Sequence, residues 1–180
     1  MKVLETPLSG ALILEPKVFA DERGFFLESY NEKAFAALGI GEKFVQDNHS
    51  YSTRGVLRGL HYQVQKPQGK LVRVVSGEVL DILLDLRRSS PSFGRWHGVK
   101  LSGENRRLAW IPIGFAHGFE VLSESAHVLY KSTEFYAPEL ERTILWNDPE
   151  LKIGWEYAVE PILSEKDKKG VRFRAAEVFR

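Results

Sequence analysis

The stretch LVRVVSGEVLDILLDL, residues 71–86, decides how the rest of the chain reads. Both arms are rich in valine, leucine and isoleucine, and Ser76-Gly77 between them is a turn signal, so it reads as a β-hairpin. In the second arm Leu80, Ile82, Leu84 and Leu86 alternate with Val79, Asp81, Leu83 and Asp85. That period of two gives the strand one wholly apolar face. Working outward, GVKLSGENRRLAWIPIG (98–114) reads as a second hairpin turning at SGEN. FEVLSESAHVLYKSTEFY (119–136) reads as a third, turning at Ser123 to Ser125. GALILEPKVF (10–19) and GFFLESY (24–30) add short strands. Helix signals are few. NEKAFAALG (31–39) is one, with Asn31 as N-cap and Gly39 as its stop, and Ser164 caps a short helix over EKDKKG (165–170). Short strands with turns about every eight to twelve residues predict an all-β fold: a sandwich, jelly roll or barrel with small peripheral helices.

The chain of 180 residues suits a single domain spanning 1–180, long enough to bury a substantial core. Hydrophobic residues at 43% and charged residues at 27% place it among globular rather than disordered chains. A formal net charge of +1 gives no whole-molecule field for nucleic acid or an anionic membrane, so neither is expected as a partner. Any anion must be held by local arginines and lysines. The absence of cysteine removes disulfides, thiolate nucleophiles and Cys-ligated metals together. The N-terminus is broken by Pro7, Gly10 and Pro16 and does not read as a signal peptide. No run of about 18 apolar residues occurs, so no span is expected and the expected location is the cytoplasm.

The polar residues set among these strands carry the chemistry. Gly55 and His61 are spaced G-x5-H, and Pro112 to His117 reads P-x-G-x-x-H. The two spacings resemble the two motifs of the cupin superfamily, a small jelly-roll barrel whose motif histidines point inward. Metal-binding cupins continue the first motif as H-x-H and then a glutamate. Here Gln63 stands at the second histidine position, and Gln68 or Lys70 where the carboxylate belongs. Two imidazoles and an ammonium make a poor cation cage, so no metal is expected. Arg58, His61 and Lys70 sit in segments that otherwise read as buried sheet. Such groups cost several kcal/mol to bury unpaired, which points to an anionic ligand. Strict alternation puts Arg58 and His61 on opposite faces, unless Gly59 hosts a bulge. Tyr130 reads either as a packed strand aromatic or as a site residue. Gln46 and Asn48 share one side of a strand, facing a ligand or merely water. Arg23, Phe26 and Glu28 follow a turn near the N-terminus, and Asp167 alone reads as part of a solvated charge run.

Taken together, RGLHYQ (58–63), PQGKLVRVVSGEVLDILLDLR (67–87), SPSFGRW (90–96), LSGEN (101–105), WIPIGFAHGFEVLSE (110–124), APELERTILWNDP (137–149) and ILSEKD (162–167) resemble one family closely, dTDP-4-dehydrorhamnose 3,5-epimerase. The resemblance implies a cupin-type jelly roll, a homodimer with an exchanged N-terminal strand, and no metal or organic cofactor. It implies that His61 removes the protons beside the C4 ketone of dTDP-4-dehydro-6-deoxy-D-glucose, with Asp167 orienting it. Tyr130 returns a proton from the opposite face, and Lys70 lies near the C4 oxygen. Arg23, Phe26, Glu28, Gln46, Asn48, Arg58, His117, Glu141 and Lys166 match positions that hold the nucleotide sugar, and Tyr136 matches an aromatic that stacks on thymine. The product would be dTDP-4-dehydro-L-rhamnose, on the way to dTDP-L-rhamnose. Relatives acting at C3 or C5 alone share the base and the fold, and a non-catalytic cupin that binds nucleotide sugars is the other alternative.

Overall fold

The computed structural model describes residues 1–157 and 160–180. The chain opens with β1 (Lys2–Glu5), β2 (Leu12–Glu15), β3 (Val18–Asp21) and β4 (Gly24–Leu27), followed by helix α1 (Glu32–Ala36). Then come β5 (Gln46–Thr53), β6 (Leu57–Gln63), β7 (Lys70–Ser76), β8 (Glu78–Asp85) and β9 (Trp96–Ser102). The last strands are β10 (Leu108–Ile111), β11 (Phe115–Val121), β12 (Ser125–Ser132) and β13 (Glu141–Thr143), before helix α2 (Glu165–Lys168). A six-stranded sheet runs β1-β2-β10-β7-β12-β5, a five-stranded sheet runs β13-β6-β11-β8-β9, and β3 and β4 pair only with each other. The fold is the all-β, jelly-roll-like sandwich expected.

The strands stand where alternation put them, but their partners differ from the hairpin reading in all three places. β7 pairs with β10 and β12, whereas β8 pairs with β11 and β9. Ser76-Gly77 therefore carries the chain from one sheet to the other instead of folding it back. SGEN does the same between β9 and β10, and Ser123 to Ser125 between β11 and β12. At the first corner Gly77 has φ +79°, and a Cβ on it would lie 2.0 Å from the Ser125 carbonyl. The physical reason lies in β8, which is buried from Val79 to Asp85. A strand buried on both faces needs a layer on each side, which a two-stranded hairpin cannot supply.

Those layers define three cores. Between the sheets Val72, Val74, Val79, Leu83, Phe119 and Val128 pack together. The wholly apolar face of β8, with Leu80, Ile82 and Leu84, looks outward, and the C-terminal segment covers it with Trp155, Phe173 and Phe179. On the far side Phe35 of α1 and Ile40 cover Leu14, Leu71 and Trp110. Each such side chain contributes about 1.5–3 kcal/mol on burial. The helices form as read: Asn31 Oδ1 accepts from the Ala34 amide at 3.2 Å, and Ser164 Oγ from the Asp167 amide at 3.2 Å. Among the described residues no helix is long and apolar enough to cross a membrane.

Candidate active site

The inward-facing positions change character along two neighbouring strands. On β12 they pass from Ala126 and Val128 to Tyr130 and Ser132, and on β7 from Val74 and Val72 to Lys70. The apolar core thus gives way to a polar cleft of about 330 Å³ at one end of the sandwich. β5 contributes Gln46, Asn48 and Ser50, and β6 contributes Arg58 and His61. His117, Tyr136, Glu141 and Lys166 complete the polar wall.

Arg58 and His61 share this cleft because β6 bulges. His61 pairs with His117 and Arg58 with Phe119, so three steps along β6 match two along β11. The extra residue reverses the alternation between the two side chains. Gly59 makes the bulge possible, with φ +120° and an added Cβ only 2.6 Å from Gly118 Cα. Two facing glycines let the backbones approach.

His61 Nε2 lies 2.5 Å from Asp167 Oδ1. Asp167, on α2, is only 2% exposed, so its place in a charge run conceals a buried carboxylate. The Ser164 hydroxyl donates to Oδ2 at 2.6 Å and the Gly59 amide to Oδ1 at 3.3 Å. Burial alone would raise the Asp167 pKa, but the bonds from His61, Ser164 and Gly59 hold it below the ordinary value. For His61, burial is the largest influence and pushes the pKa down. Asp167 pulls it back up, and Lys166 and Lys70 lower it further, so the balance falls below the usual value. The imidazole is therefore neutral at neutral pH. With Nε2–H donated to the carboxylate, Nδ1 holds the free lone pair.

Lys70 Nζ sits 5.8 Å from the centre of the Tyr130 ring. Burial depresses its pKa to about 8, against the attraction of Glu141 and Asp81. Burial is also the main reason the Tyr130 hydroxyl is pushed up, which keeps it protonated. Glu141 ties the rim together: the Tyr136 hydroxyl donates to Oε2 at 2.9 Å, and Lys166 Nζ to Oε1 at 2.8 Å. His117 Nε2 is 2.7 Å from Oδ1 of the fully buried Asp81. Gln46 Nε2 donates to Asn48 Oδ1 at 2.8 Å, and Arg58 Nε to Ser52 Oγ at 3.0 Å. Among the described residues no three His, Asp or Glu side chains converge as a metal-ligand set.

Of the site residues expected from sequence, the chain brings eleven side chains to this cleft or its wall and leaves three outside it. Arg23, Phe26 and Glu28 lie on or beside the β3–β4 hairpin, away from their own chain's cleft. There Arg23 pairs with Asp21, Glu28 accepts from Asn31 Nδ2 at 3.1 Å, and Phe26 is 70% exposed. Sequence reasoning missed Ser50, Ser132 and Asp81. The two serines continue the alternations of Asn48 and Tyr130, a signal that could have found them.

The family model described as dTDP-4-dehydrorhamnose 3,5-epimerase matches residues 5–175. A dTDP-4-dehydrorhamnose 3,5-epimerase of Pseudomonas aeruginosa is 59% identical over 99% of each chain. Among solved structures, a dTDP-6-deoxy-D-glucose-3,5-epimerase of Legionella pneumophila in complex with dTDP-4-keto-L-rhamnose superposes with a TM-score of 0.97. It is 49% identical, over 99% of this chain and 97% of that one. A dTDP-4-dehydrorhamnose 3,5-epimerase of Bacillus anthracis with TDP and PPi bound gives 0.92 at 47% identity, over 95% and 98%.

Proposed function

The chain belongs to the dTDP-4-dehydrorhamnose 3,5-epimerase family and has that isomerase activity, and we propose that His61 and Tyr130 carry its two-sided proton transfer. The observation that supports this most is their placement: a neutral imidazole on β6 and a protonated phenol on β12 enter one cleft from opposite sheets. A C–H beside a ketone is a weak acid, and its removal needs a base together with a positive group at the oxygen that becomes enolate. His61 Nδ1 takes the proton from the carbon, and Asp167 steadies the imidazolium that results. Lys70, still largely charged below pH 8, stabilises the C4 oxyanion, an effect worth about 3–4 kcal/mol where such donors have been removed. Tyr130 protonates the carbon from the other face; the phenolate takes a proton from solvent and the His61 imidazolium gives one up to it, which restores both groups. The sequence runs once at C3 and once at C5.

Arg58 and Lys166 hold the diphosphate, Tyr136 stacks on the thymine, and Gln46, Asn48, His117 and Glu141 bind the remaining polar groups of the nucleotide sugar. One domain spans the chain. It works as a cytoplasmic homodimer in which the β3–β4 hairpin lends Arg23, Phe26 and Glu28 to the partner's cleft. The exposed Phe19, Phe25 and Phe26 on that hairpin support this arrangement.

The roles separate in two variants assayed with dTDP-4-dehydro-6-deoxy-D-glucose. His61→Ala is expected to lose about 10²–10⁴-fold in turnover. Tyr130→Phe, which keeps the base, is expected to exchange substrate protons with solvent while failing to make inverted product. A Tyr130→Phe variant that yields product at the parental rate refutes the assignment of the acid.

A further inference from the structure

Gln63 occupies the position at which metal-binding members of the fold carry a second histidine, and it is only 4% exposed. Its amide grips backbone. Nε2 donates to the Phe135 carbonyl at 3.1 Å and to the Lys66 carbonyl at 2.5 Å, while Oε1 accepts from the Ala137 amide at 2.9 Å. The carbonyl of one residue and the amide two residues later face the same side of an extended chain. Gln63 thus pairs with one edge of the segment 135–137 as a neighbouring strand would. On the other edge Gln46 Oε1 accepts from the Tyr136 amide at 3.0 Å, and Gln68 Nε2 holds the Glu134 carbonyl at 2.9 Å. The segment lies beyond the end of β12 and has no strand of its own. Three glutamine side chains therefore supply ladder bonds that the sheet does not. The side chain they aim is Tyr136, 51% exposed at the mouth of the cleft.

We infer that Gln63 is a positioning residue for nucleotide binding, acting through Tyr136: its amide replaces a metal ligand with a backbone clamp that presents the aromatic ring to the base. The inference rests on the reading of Tyr136 as the ring that stacks on thymine. Only a side chain with an acceptor and a donor at the same reach serves here. Glutamate would set an oxygen against two carbonyls, and methionine would leave all three backbone groups unpaired.

The test measures binding of dTDP and of inorganic pyrophosphate by titration calorimetry to the full chain, to Gln63→Met, to Tyr136→Ala and to the double variant. Gln63→Met is expected to weaken dTDP by up to about tenfold, the scale of a lost aromatic contact, and to leave pyrophosphate unchanged because it has no ring to stack. In the Tyr136→Ala background the same substitution should cost less than about twofold, since coupled residues are not additive. Equal weakening of dTDP and pyrophosphate, or an undiminished penalty without Tyr136, overturns the inference. If Tyr136→Ala binds dTDP as tightly as the parent, the stacking role itself falls and the inference with it. If Tyr136→Ala weakens dTDP and Gln63→Met does not, only the clamp is wrong. Should Gln63→Met fail to fold, Gln63→Asn, which keeps a neutral amide but falls one methylene short of the segment, answers the same comparison.

Discussion

Burial and a carboxylate pull His61 in opposite directions, and burial wins. In the proposed mechanism that outcome serves the chemistry, because a base must be unprotonated when substrate arrives and must still accept a proton from carbon. There Asp167, 2.5 Å from the ring, supplies the second half by stabilising the imidazolium. In the same proposal Lys70 needs the reverse condition, a retained charge, and its pKa of about 8 sets an upper limit. The two shifts fix the direction of the pH profile. As pH falls, His61 binds a proton and activity declines, on a limb below the ordinary histidine value of about 6.5. As pH rises, Lys70 loses its charge and activity declines on a limb near 8. A profile of kcat/KM against pH is therefore expected to be bell-shaped with these limbs. Lys70→Arg, with a side chain that stays charged, is expected to keep residual activity and move the alkaline limb above about pH 9. An alkaline limb that stays near 8 in Lys70→Arg shows that another group sets it.

At the scale of the elements, the bulge in β6 decides whether a cleft of this composition exists. Gly59→Ala forces a Cβ to within 2.8 Å of the His117 carbonyl as well as onto Gly118. The expected loss is roughly 2–4 kcal/mol, read as a lower thermal midpoint, with activity falling further as Arg58 and His61 lose their common face. An unchanged melting curve would mean that the bulge bears no such constraint. Strands and helix caps were legible because period-two patterns and Asn or Ser caps are local. Pairing was not, because Ser76-Gly77, SGEN and Ser123 to Ser125 look the same whether they fold a strand back or turn a sandwich corner. The deciding fact, that β8 is covered on both faces, depends on a C-terminal segment roughly seventy to a hundred residues away in the chain. Asp167 was opaque for the same reason. Its neighbours are charged and exposed, and only tertiary contact buries it beside His61. The residue pattern alone also left Tyr130 undecided. The resemblance to a family, spread over seven segments of the chain, is what singles it out.

The whole molecule joins a filled apolar end to a polar end, and its β3–β4 hairpin pairs with neither sheet. In the proposed homodimer that hairpin completes the partner's site. Arg23→Ala and His61→Ala chains, each nearly inactive alone, should then complement when unfolded together and refolded as a mixture. Random pairing makes half the dimers mixed, each with one intact site, so about a quarter of parental activity is expected. No recovery in dimers shown by mass to be mixed refutes the exchange. The central claim, that one neutral histidine takes protons from both carbons beside the ketone, is tested most directly by turnover of dTDP-4-dehydro-6-deoxy-D-glucose in D₂O with mass and NMR readout. Deuterium is predicted at both C3 and C5 with the parental chain and at neither with His61→Ala. Label that enters normally in His61→Ala, or enters the parental product at one carbon only, contradicts it.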